Sequence, residues 1–146
     1  MIARRTAFAL TLLANPALAA PAGEAGTIRH LLHATFDRPE APLTIDPVVV
    51  AHDHAIAGWS QEGRGGRALL RRHHGKWAIA LCAGDALKGA DLMLRAGVPA
   101  ADAARLTADL ARAEAKLPPA RLALLASFDG VMMMDEQAAH GTAGHP

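Results

Sequence analysis

Between Val48 and Leu81 the chain carries four short apolar runs, each too brief for a helix: Val48-Val49-Val50, Ala55 to Trp59, Ala68 to Leu70 and Trp77 to Leu81. Short runs of apolar and β-favouring side chains bounded by turn residues read as strands. The segments between them are His52-Asp53, Glu62-Gly63-Arg64-Gly65-Gly66 and His74-Gly75, each suited to reversing the chain. The spacing predicts a four-stranded antiparallel meander. Pro47 places its first strand at an edge, or at its own start, because proline cannot donate to a ladder.

Either side of the meander the periodicity is helical. Ile28, Leu31, Leu32, Thr35 and Phe36 recur at amphipathic spacing after Thr27, which can cap, and Pro39 and Pro42 end the segment. Asp85 starts a second helix towards Ala96, with Leu87, Ala90 and Leu94 as its stripe and Gly97 as its stop. Pro99 to Lys116 carries Ala103, Leu106, Leu110 and Ala113 along one side, and Pro118-Pro119 opens a short helix with Leu122 and Leu125. Asp129-Gly130 then turns the chain into Val131-Met132-Met133-Met134. The expected fold is α+β: an N-terminal helix, the four-stranded antiparallel meander, and two to three C-terminal helices packed on one sheet face. With 146 residues, 51% hydrophobic and 20% charged, the chain has room for one such core.

The first residues read as an address. Arg4 and Arg5 precede a short apolar stretch from Thr6 to Ala14, then Asn15-Pro16 and the small-x-small triplet Ala17-Leu18-Ala19. This is the pattern of a secretory signal peptide over residues 1–19, cut after Ala19. It is followed by a single α+β domain over 26–135 and a flexible tail over 136–146. The mature protein is expected in the periplasm or secreted, and not embedded in a membrane. Fifteen Lys and Arg against fourteen Asp and Glu leave a net charge of +1, too little to drive nucleic-acid binding. One cysteine excludes an internal disulfide and any multi-cysteine cluster.

Candidate chemistry lies in sulfur and imidazole. Met132, Met133 and Met134 are followed by His140 and His145, and thioether with imidazole suits copper. In this reading Met132, Met134, His140 and His145 are the ligands. The bland alternative has Val131 and Met133 closing the core above a solvated tail. His52 and His54 form a second candidate pair: at i and i+2 of a strand both rings reach one ion, whereas in a turn they diverge. His30, His33 and Asp37 share one side of the first helix, as a solvated polar face also would. By alternation Cys82 shares a side with Ala78 and Ala80 as a buried small hydrophobe. Arg64, Arg67, Arg71, Arg72 and Lys76 read as the wet face of an edge strand, or as a stripe for an anionic partner. No acid/base carboxylate pair, nucleophile elbow or dinucleotide fingerprint is present, and the chain is not expected to be an enzyme.

Several strings taken together carry a resemblance. They are Ile28-Arg29-His30-Leu31-Leu32 with Thr35-Phe36-Asp37-Arg38-Pro39, Asp46-Pro47-Val48-Val49-Val50, Ala55-Ile56-Ala57-Gly58-Trp59, Gly65-Gly66-Arg67-Ala68-Leu69-Leu70 and Leu81-Cys82-Ala83-Gly84-Asp85-Ala86-Leu87. From about residue 26 to 134 the chain resembles the bacterial copper uptake system-associated proteins. The resemblance implies an exported accessory acting beside copper-handling periplasmic or membrane proteins, and the Met and His residues add the expectation that it binds copper transiently. The alternative is a metal-free interaction module that docks on such a partner.

Overall fold

The computed structural model describes residues 20–134. The expected signal peptide and the tail histidines His140 and His145 lie outside them. Helix α1 (Ala20–Phe36) leads into strands β1 (Thr44–Ala51), β2 (His54–Gln61), β3 (Arg64–His73) and β4 (Lys76–Ala83). A 3-10 turn over Asp85–Lys88 and helices α2 (Ala90–Arg95), α3 (Ala100–Glu114) and α4 (Pro119–Ala126) follow, and β5 (Val131–Met133) closes the fold. The sheet is antiparallel throughout, in the order β1-β2-β3-β4-β5. The α+β meander is as expected, with a fifth strand added by the Val131–Met133 segment.

The hairpins form where the turn residues reach left-handed backbone. Glu62 and Gly63 have φ of 53° and 73°, and His74 and Gly75 have 49° and 75°, so each pair makes a turn whose twist matches the strands it joins. Arg64, Gly65 and Gly66 belong to β3 rather than to the preceding turn. Pro47 falls where β1 slips register between Ile45 and Val48, at the sheet edge, where a missing ladder donor costs least.

Both faces of the sheet are covered. On one, α2 and α3 bury Met93, Leu106 and Leu110 against Val49, Ile56, Leu69 and Leu81. On the other, Ile28 and Leu32 of α1 pack on Ala55, Ala57, Leu70 and Trp77. Trp77 Nε1 donates to Glu24 at 2.8 Å, and Arg72 lies over the Trp77 ring, so α1 is also held at its first turns. Helices α2 and α3 thus share one face, and the N-terminal helix closes the other.

Three local expectations are corrected. Thr27 is inside α1 and its hydroxyl bonds back to Gly23 O at 2.9 Å, because the helix begins at Ala20. The helix expected from Asp85 is broken at Gly89 into the 3-10 turn and α2, which turns Leu92 and Met93 inward and leaves Leu94 exposed. The third departure is in β4. Leu69 pairs with Leu81 and Leu70 with Ile79, so Ala80 is an extra residue. This bulge breaks the alternation, sending Ala80 to the α3 side and Cys82 to the α1 side.

Candidate functional site

The bulge brings three of the sulfur-bearing residues of the fold, Cys82, Met132 and Met134, to one place. In the β4–β5 ladder Cys82 is directly opposite Met132, and the ladder runs on with Met134 N donating to Ala80 O at 2.9 Å. Directly opposed residues in an antiparallel pair put their side chains on the same face, with Cβ atoms about 5 Å apart. Met134, two residues further, returns to that face. Cys82, Met132 and Met134 accordingly line one cavity of about 180 Å³, together with Leu32 and Phe36 of α1, Leu43, Trp59 and Phe128. Trp59 and Phe128 meet edge to face at 6.0 Å on its wall.

Among the described residues the lining is apolar apart from Gln61 and holds no carboxylate, lysine, arginine or histidine. The Gln61 amide is already used, donating to Phe36 O and Ala41 O at 2.8 and 2.7 Å. Cys82 is 8% exposed, and burial pushes its thiol up to about 11. It is therefore a thiol at neutral pH, and no base stands beside it: His73 and His74 are at the far end of β4, about 20 Å away by strand rise. Met132 is 47% exposed. The cavity thus has one buried sulfur at its floor and an accessible thioether at its rim.

The other candidate donors are placed differently. His52 is in the β1–β2 turn with φ of 51°, exposed, its Nδ1 2.6 Å from Asp102 Oδ1 on α3. His54 opens β2 with its ring buried and neither nitrogen hydrogen-bonded among the described residues. Burial, and secondarily the charge of Arg71, lowers its pKa and keeps it neutral. His33 Nδ1 and Asp37 Oδ2 are 3.0 Å apart, while Asp37 Oδ1 accepts from Leu43 N, which holds that carboxylate below its usual range. That pairing fixes the chain leaving α1. Among the described residues no three His, Cys, Asp or Glu side chains stand together as a metal site.

The basic stripe is corrected. Strand β3 is central, not an edge. Arg67 is buried and its Nε and Nη2 donate to Glu114 at 2.7 and 3.0 Å. Arg71 donates to Ala96 O, and Arg72 to Glu24 and Asp53. These cations are internal fasteners, each tying the sheet to another element.

Sequence reasoning set Cys82 apart from the methionines, since nothing local links residues in different thirds of the chain. Only the ladder joins them. No protein-family model, curated protein or solved structure matches the chain. No helix among the described residues is long and apolar enough to cross a membrane.

Proposed function

We propose that the protein is an exported accessory of bacterial copper acquisition that takes up Cu(I) transiently through the thioethers of Met132 and Met134. One observation carries this reading: two soft, uncharged donors, Met132 in β5 and Met134 just after it, line one cavity, Met132 exposed and Met134 partly buried against the core. Thioethers bind without losing a proton and favour Cu(I) over harder ions. Exchange between carriers calls for accessible donors of this kind rather than a closed cage. His140 and His145 follow Met134 by 6 and 11 residues and supply nitrogen donors in the same reading. The export pattern of residues 1–19 and the resemblance to copper uptake system-associated proteins agree with it.

Titrating the mature chain with Cu(I) under reducing conditions, in competition with a Cu(I) chelator, tests the proposal. One equivalent is expected to bind, and removal of residues 132–146 is expected to weaken binding by about 100-fold or more. Binding no tighter than that of a generic peptide, unchanged by the deletion, would retire it.

A second reading has its own observation. Val131, Met132 and Met133 are 47%, 47% and 41% exposed on a strand whose outer edge is unpaired among the described residues. Such an edge accepts a partner strand. A copper-handling partner captured equally well by protein with and without copper, and lost when Val131 is replaced by proline, favours docking over metal binding.

A further inference from the structure

Resting on the copper reading, we infer that the buried Cys82 thiol is the third ligand, and that the cavity is a one-thiolate, two-thioether site selective for a monovalent soft ion. Among the described residues the cavity lining holds no base that could activate Cys82 as a nucleophile. Its place opposite Met132, with Met134 on the same face, points three sulfur side chains into one space.

Charge balance explains the selectivity. Among the described residues the lining provides no charged side chain to compensate a net charge, and an uncompensated buried charge is costly. When Cu⁺ enters, the Cys82 S–H bond breaks, an S–Cu bond forms and one proton leaves to solvent. No electron moves. The resulting Cu⁺–thiolate unit is neutral, and the thioethers of Met132 and Met134 complete its coordination without adding charge. A divalent ion in the same place would leave one uncompensated positive charge in an apolar surround. Cu(I) and Ag(I) are therefore admitted, and Zn(II) and Cu(II) are not.

The work also divides sensibly between the donors. Met132 at the rim captures, and Cys82 at the floor retains. Cavity size is adequate as well: about 180 Å³ exceeds what one ion needs, and the unbranched methionine side chains can adapt to it.

The test titrates the mature full-length chain with Ag(I), a redox-inert monovalent probe, and then with Cu(I). Wild type is compared with Cys82→Ser, the double variant Met132→Leu/Met134→Leu, and His140→Ala/His145→Ala. Thermal melts without metal confirm that each variant is folded. Wild type is expected to show thiolate-to-metal charge-transfer absorption in the near ultraviolet at one equivalent, releasing one proton per ion. Cys82→Ser is expected to lose the band and about 100-fold or more in affinity, while the histidine variant keeps the band. Zn(II) is expected to give neither signal. Should wild type bind Cu(I) tightly with no thiolate band, and Cys82→Ser match it, the three-sulfur site is overturned while the methionine reading stands. If neither ion binds wild type, both fall.

Discussion

Replacing Glu114 with alanine is expected to destabilise the protein by about 3–5 kcal/mol, the usual cost of leaving one member of a buried ion pair behind. Arg67 is 1% exposed and Glu114 is 5% exposed. Two bonds of 2.7 and 3.0 Å join them in a fork-to-fork pair, and the guanidinium also donates to Asp85 Oδ1 at 3.1 Å and Leu125 O at 3.3 Å. One side chain on the central strand thereby holds the end of α3, the 3-10 turn and α4. Without Glu114 the buried guanidinium keeps only Asp85, which is 63% exposed and replaces little of the lost charge, and the Leu125 carbonyl. The melting temperature should fall by roughly 10–20 °C, read by circular dichroism. The double replacement Arg67→Met/Glu114→Leu removes both charges at similar volume and is expected to recover most of the loss. A single variant as stable as wild type would show that the pair is not what fastens the helices.

The second large effect is expected at Gly65. A Cβ built there would lie 2.6 Å from Trp59 O and 2.8 Å from Leu124 O, both of them backbone atoms that cannot rotate away. The close approach is used: Gly65 N donates to Ser127 Oγ at 3.0 Å, and Ser127 Oγ bonds Leu124 O at 2.7 Å, so the end of α4 is seated on β3. Gly65→Ala must push α4 outward and is expected to cost about 2–3 kcal/mol in a denaturant melt. Because α4 leads directly through Phe128 into β5, the same variant is expected to loosen the cavity rim and, on the proposed copper reading, to weaken Cu(I) binding. Gly26→Ala in α1, where a Cβ would meet nothing within 4 Å, serves as the control and is expected to be neutral or slightly stabilising.

These two sites show what a reader of the sequence can and cannot see. The hairpin turns and the stripe of α3 were legible because the signal is local: a left-handed pair such as His74-Gly75, or Ala103, Leu106 and Leu110 on one helical side. Arg67 was not. A cation in a strand looks like solvent-facing surface unless its partner is known, and Glu114 is 47 residues away. The site was half legible for the same reason. Met132 and Met134 announce soft donors by composition alone. That they share a cavity with Cys82 depends on a fifth strand pairing with β4, and on the Ala80 bulge that turns the thiol to the α1 side. Neither event leaves a mark in the neighbouring residues.

The donor atoms around the bound ion are the direct check on the function proposed here. X-ray absorption at the copper edge, measured on the chain without residues 1–19 loaded with one equivalent of Cu(I), is expected to give a first shell dominated by sulfur, reduced when Met132 and Met134 are both leucine. A shell of nitrogen and oxygen alone, unaltered by that replacement, would contradict the account.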